Sequence, residues 1–175
     1  KGASKGEGLG NKFLSHIREV DAIIHLVRCF ESDKITHVNS KINPIDDLET
    51  IKTEIILSDI DIIQKKLEKG KKKLLEEKQI KILEEKLDQL NEGKEISIND
   101  NDEKKFVSSL GLLSIKPKII VCNVDEGSLA NGNALTEEVQ KKYSNEKVVT
   151  ICADIEDQIM GLDNSERETF MKEIG

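Results

Sequence analysis

Apolar positions along this chain change period repeatedly, and each change marks a predicted element. Phe13, Leu14 and Ile17 recur at helical spacing over residues 11–19. Behind Asp21 the run AIIHLVRCF reads as a buried strand, with His25 a core or edge histidine rather than a ligand. An irregular connection follows, and Pro44 with Asp46 and Asp47 marks a helix start. From there Leu48, Ile51 and Ile55, then Ile60, Ile63 and Leu67, step at three and four, and Ile80, Leu83, Leu87 and Leu90 repeat the step. Two amphipathic helices separated by a basic turn around Gly70 make an antiparallel hairpin with a coiled-coil seam. So short a seam needs a globular base to lean on.

After a further helical stretch over residues 102–113 the pattern shortens. KIIVCNVDE and KVVTICADIE read as strands, with TEEVQKKYS as a helix between them, which makes a β-α-β unit and hence a parallel pair. The strand at residues 21–30 joins the same sheet, and NSERETFMKEIG closes as a short helix with Ser165 available as its cap. The fold class is therefore α/β, a parallel sheet interrupted by an antiparallel α-helical hairpin. Residues 1–57 and 101–175 form the body and residues 58–100 the insertion.

Composition agrees with an exposed arm. Charged residues make up 35% and hydrophobic residues 37%, with no Trp and one Tyr, so the core is aliphatic and the solvated surface large. The net charge of -7 argues against a chain that coats itself on nucleic acid. A local exception is the cluster Lys65, Lys66, Lys69, Lys71, Lys72 and Lys73, interrupted only by Glu68 among acids. It reads either as a solvated helix junction or as a phosphate-contacting tip. Cys29, Cys122 and Cys152 are far apart, each in an apolar run, and show no zinc spacing, so they read as reduced buried thiols. No apolar stretch is long enough for a membrane span, and no metal-ligand motif is present. The chain starts without Met, which reads as a piece of a longer protein.

In open parallel sheets ligands gather at the carboxyl ends of strands. The two later strands end in Asn123, Asp125 and Glu126 and in Ala153 and Asp154, on adjacent loops suited to gripping one flat object. A G-domain reads its purine with such a pair, an N-K-x-D loop and an S-A-x loop. Here the strings are Asn123-Val124-Asp125-Glu126 and Cys152-Ala153-Asp154. The aspartate that locks onto guanine's N1–H and 2-amino group is replaced by Glu126, and the lysine over the base by Val124. Losing that short carboxylate removes the preference for guanine, because an unpaired buried charge costs about 3 kcal/mol or more. Asn123 matches the N6 and N7 edge of adenine, and Val124 offers an apolar surface and a backbone group. Adenine is the expected base.

The strings KGASKGEGLGNKFLSHIREVDAIIHLVRCFE, ITHVNSKINPIDDLETIKTE, KPKIIVCNVDE and ICADIEDQIMGLDNSERETFMKEIG, in that order around a helical insertion, closely resemble the YchF family of Obg-related P-loop NTPases. The resemblance covers nearly the whole chain; the arm matches in pattern only. It implies a cytoplasmic ATPase on a GTPase-like fold, with a coiled-coil arm, a C-terminal TGS domain and association with ribosomes. It also implies that Asn123, Val124 and Glu126 form the altered base-recognition loop, that Ala153 is its companion, and that the glycine-rich start continues switch II. His37 resembles the histidine proposed to orient the attacking water, and a surface loop histidine is its equal alternative.

No G-x-x-x-x-G-K-[ST] string occurs in the chain, and Asn11 stands where a dinucleotide fingerprint needs its third glycine. The groups that cradle the phosphates and hold Mg²⁺ are therefore expected outside it, and the piece alone is expected to bind ATP poorly and hydrolyse none. A different class stays open: an interaction module whose lysine-rich tip binds ribosomal RNA or protein without nucleotide chemistry, with contacts that weaken steeply in salt.

Overall fold

The computed structural model describes residues 9–32, 42–70 and 75–174. The glycine-rich start, the connection that carries His37, and Lys71, Lys72 and Lys73 lie outside the described residues. The chain divides into two compact units, one of Lys1–Ile23 with Thr50–Pro117, the other of Ile24–Glu49 with Lys118–Gly175.

The first unit is helical. It holds α1 (Leu9–Arg18), most of α2 (Pro44–Lys69), α3 (Glu77–Asn91) and α4 (Asn101–Ser109). The 3-4 spacing read from the sequence is the spacing of its core: Ile63 and Leu67 of α2 meet Leu83 and Leu90 of α3, and Val107 of α4 with Leu112 closes the cluster. These residues are all nearly or fully buried, so the hairpin is a packed unit rather than an isolated pair of helices. Gly93 ends α3 at φ 69°, in the left-handed region that glycine enters without steric cost. Asp100 caps α4 by accepting from the Glu103 N–H at 2.7 Å.

Two charged residues that the helical pattern left unmarked are fully buried in this unit. Asp59 accepts from Arg18 Nη1 at 2.9 Å and from the N–H groups of Leu113 and Ser114 at 3.0 and 2.8 Å. Arg18 also donates to the Gly111 carbonyl and to Ser58 Oγ, each at 2.6 Å. A buried carboxylate is tolerated because every donor facing it is used. Lys86, on α3, pairs with Glu103 of α4 and with Glu85 at 2.9 Å.

The second unit carries the sheet. Strands β1 (Ile23–Arg28), β2 (Lys118–Asn123) and β3 (Lys147–Ile151) lie in the order β1-β2-β3. β2 and β3 are parallel, in the register Ile119 with Lys147 through Asn123 with Ile151. β1 runs the same way, since Ile23 N–H donates to the Pro117 carbonyl and Cys29 N–H to that of Asn123. Helix α5 (Ala134–Lys142) is the crossover between β2 and β3, and α6 (Ala153–Met160) and α7 (Asn164–Ile174) follow. Val27, Cys29, Ile120, Cys122, Val124 and Cys152 from the strands and their ends pack with Leu48, Val139 and Ile155 from the helices. The three thiols are free and buried, as their apolar settings predicted.

Two expectations change in detail. The AIIHLVRCF run is half buried rather than buried throughout: Val27 and Cys29 face the core, whereas Ile24 and Leu26 are 68% and 61% exposed. β1 is an edge strand of this sheet, and the face with Ile24 and Leu26 has no covering element among the described residues. At the last helix the cap is Asp163 rather than Ser165. Its carboxylate accepts from the N–H groups of Ser165 and Glu166 at 2.8 and 2.9 Å, and Ser165 Oγ donates to it as well. Those bonds hold the Asp163 carboxyl below its usual pKa.

Candidate functional site

The carboxyl ends of β2 and β3 lie side by side because the two strands are paired in register up to Asn123 and Ile151. Beyond β2 the chain turns sharply: Asp125 Oδ1 accepts from the Ser128 N–H at 2.9 Å and caps the 3-10 turn Glu126–Ser128. Beyond β3 it enters α6 at Ala153, with Cys152 as the flanking residue. The two β-α loops therefore rise from neighbouring strands onto one edge of the sheet.

They are tied together by a side chain. Asn123 Oδ1 accepts from the Ala153 N–H at 2.9 Å, which also satisfies one of the donors left open at the start of α6. The Asn123 carbonyl accepts from the Cys29 N–H at 2.7 Å. Asn123 is thus held at its main chain and at its side chain, and its Nδ2 makes no hydrogen bond among the described residues. A donor with a fixed position is left beside one unused lone pair on Oδ1. Glu126 and Ala153 are exposed on the same pair of loops.

Val124 takes a different position from the one its sequence suggested. It is 3% exposed and packs in the sheet core, and its N–H donates to the Ile151 carbonyl at 2.8 Å. Its side chain anchors the loop and offers no apolar surface at the rim, because a branched aliphatic group gains more from the core than from water. His37 lies outside the described residues, so the structure brings together Asn123, Val124, Glu126 and Ala153 and leaves the histidine aside. Among the described residues no group of three or more His, Cys, Asp or Glu is placed to hold a metal.

Sequence reasoning missed Asn133. It caps α5 by accepting from the Thr136 N–H at 3.1 Å and donates from Nδ2 to the Cys29 carbonyl at 2.7 Å. The signal was present in the string Asn133-Ala134-Leu135-Thr136, a cap residue followed three positions later by a polar partner.

Of the lysine cluster, Lys65, Lys66 and Lys69 are described, and all three are exposed in the last turns of α2. Lys65 is paired with Asp61 at 2.5 Å, so its charge is partly spent within the helix. No helix among the described residues is long and apolar enough to cross a membrane.

A parallel sheet, a helical hairpin inserted between its strands, and two bonded loops at adjacent strand ends fit part of a P-loop NTPase built on the G-domain fold. No family model matches the chain. It is 41% identical over 186 residues to a Bacillus subtilis (strain 168) protein named ribosome-binding ATPase YchF, covering all of this chain and 51% of that protein. Its identity to the Escherichia coli O157:H7 protein of the same name is also 41%, over 184 residues, 100% of this chain and 50% of that one. The structure of the Schizosaccharomyces pombe YchF GTPase superposes with a TM-score of 0.84 at 30% identity, over 99% of this chain and 50% of that one. The chain is thus similar over its whole length to proteins of the YchF family and spans about half the length of the curated relatives it matches.

Proposed function

We propose that this chain supplies the base-binding part of a ribosome-associated ATPase that prefers ATP over GTP and hydrolyses it to ADP and phosphate. The observation that carries the reading is the Asn123–Ala153 bond, which fixes an uncommitted amide donor at the rim of two neighbouring loops. In this reading Asn123 Nδ2 donates to purine N7, and the second lone pair of Oδ1 accepts from the N6 amine of adenine. Guanine carries a carbonyl in place of that amine, which would face the same oxygen lone pair. Glu126 stands where a guanine reader has an aspartate; on the exposed 3-10 turn its carboxylate has a longer and looser reach. Val124 holds the loop from the core, and Ala153 holds Asn123 through its N–H.

Mg²⁺ accompanies ATP in such proteins and supplies charge neutralisation at the phosphates. Among the described residues no group of three or more His, Cys, Asp or Glu is placed to hold it. The names of the relatives, ribosome-binding ATPase in two bacteria and GTPase in the yeast, support nucleotide hydrolysis and leave the base to the loop chemistry. By resemblance His37 orients the attacking water. For the full-length protein the expected results are that Asn123→Ala weakens ATP binding about tenfold or more, and that His37→Ala lowers kcat with little change in ATP affinity. Parent-like ATP binding in Asn123→Ala would refute the site.

A second reading rests on the exposed Lys65, Lys66 and Lys69 at the end of α2. Lys71, Lys72 and Lys73 follow them in the sequence, and a run of this charge is suited to ribosomal RNA, acting with or without the nucleotide. Exchanging these lysines for glutamate is expected to release the protein from ribosomes in sedimentation at low salt. Unchanged co-sedimentation would remove the tip from the interface.

A further inference from the structure

Asn133 caps the head of α5, at the far end of the loop that leaves β2, and its side chain is bonded to the end of β1. Its Oδ1 accepts from the Thr136 N–H at 3.1 Å, and the box is closed by Asn133 N–H donating to Thr136 Oγ1 at 2.8 Å. Its Nδ2 donates instead to the Cys29 carbonyl at 2.7 Å. Cys29 is fully buried, and its own N–H donates to the Asn123 carbonyl at 2.7 Å. Asn123 Oδ1 then receives the Ala153 N–H at 2.9 Å. An unbroken line of hydrogen bonds joins Asn133, Cys29, Asn123 and Ala153.

A helix cap needs only the oxygen. Asp and Ser cap as well as Asn does, but of these only the amide adds a donor that reaches a neighbouring strand end. The preceding turn is built to hold Asn133 tightly: Gly132 has φ +72°, and a Cβ added there would lie 2.6 Å from Thr136 Oγ1. Thr136 itself is 1% exposed, so it has little room to yield.

We infer that Asn133 is a positioning residue for base recognition: through Cys29 it fixes the main chain of Asn123, and with it the direction of the Asn123 amide. The inference rests on the base-reading proposal above. Without the Asn133 donor the buried Cys29 carbonyl loses its partner, and relief comes by movement of the segment that also holds Asn123.

Asn133→Asp is the discriminating change, because it keeps the cap acceptor and replaces the donor with an oxygen facing the Cys29 carbonyl. In the full-length protein the expected result is an ATP Kd weaker by about tenfold, with KM raised and kcat retained. Tyr143→Phe, which removes the bond from the far end of α5 to Glu49 and leaves Asn133 and Thr136 as they are, is expected to lower Tm and leave the Kd at the parent value. A parent-like Kd in Asn133→Asp, measured well below its Tm, overturns the inference. So does an equal loss of affinity in Tyr143→Phe, since the effect would then follow helix stability. Should Asn133→Asp fail to fold, Asn133→Ser, which caps but is too short to reach Cys29, is read by the same criteria. Asn123→Ala separates the two layers: its weakened binding together with parent-like Asn133→Asp refutes the relay alone, whereas parent-like binding in both refutes the base-reading proposal too.

Discussion

Lys86 and Glu103 offer the sharpest test of how the arm is held. Lys86 is 0% and Glu103 5% exposed at the side chain, whereas Glu85, which also reaches the ammonium, is 48% exposed. Burial alone would lower the Lys86 pKa, but its hydrogen bonds to Glu103 and Glu85 outweigh this and hold it above 10.5. Burial alone would likewise raise Glu103, but the bonds from Lys86 and from the Asn99 N–H hold it below 4.5. Lys86→Met keeps the stem and removes the charge, leaving Glu103 uncompensated, and breaking a buried pair from one side costs ~3–5 kcal/mol. Lys86→Met with Glu103→Leu removes both charges, and the double variant is expected within about 1 kcal/mol of the parent or above it. Glu85→Ala costs less than about 1 kcal/mol because water already screens that partner.

The assay is a double-mutant cycle in urea, followed by the far-UV circular dichroism that the helices dominate. A coupling of at least about 3 kcal/mol is expected, since the double variant costs far less than the two single ones together. The pH dependence has a definite sign. Glu103 is lowered in the folded state, so its contribution is present above 4.5 and is lost as pH falls through the folded pKa. Lys86 is raised, so its contribution is present below 10.5 and is lost as pH rises through the folded value. A single Lys86→Met variant as stable as the parent would refute the claim that the pair is buried and coupled.

Asp59→Ala should destabilise the helical unit by ~3 kcal/mol or more in the same urea assay, because it strands Arg18 and the N–H groups of Leu113 and Ser114. A loss below about 1 kcal/mol would contradict that network. His25 is lowered from 6.5, first by burial and then by the charge of Lys118, with Glu146 opposing. The unfolded chain therefore takes up its proton first, so stability falls as pH drops through 6.5 toward the folded pKa. Stability measured between pH 7.5 and about 5 should show this slope, and His25→Gln should reduce it; an unchanged slope would contradict the assignment.

Much of this architecture was legible because it rests on periodicity. The helix start at Pro44, the seam through Ile63, Leu67, Leu83 and Leu90, and the pairing of KIIVCN with KVVTI all follow from spacing that a core enforces. The positions of Asn123 and Ala153 followed too, since strand ends in a β-α-β unit must lie together. Lys86 and Asp59 were not legible, because a polar residue on an amphipathic helix reads as solvated until its partners from distant segments are known. Val124 was misplaced for a related reason: at a strand end the alternation of faces continues, and the even positions Ile120, Cys122 and Val124 all face inward. The exposure of Ile24 and Leu26 depends on what covers the strand, which an apolar run does not encode. The relay from Asn133 joins residues more than a hundred positions apart, beyond the reach of any local pattern.

On the proposed reading the bonded loops at Asn123 and Ala153 take an adenine, and Glu126 in place of an aspartate removes the hold on guanine. Titration of ATP and of GTP into the full-length protein and into Glu126→Asp compares the two bases at this site. The parent is expected to bind ATP at least about tenfold tighter than GTP, and Glu126→Asp to narrow the ratio by gaining GTP affinity. Equal affinities in the parent, or a ratio that Glu126→Asp leaves untouched, would contradict it.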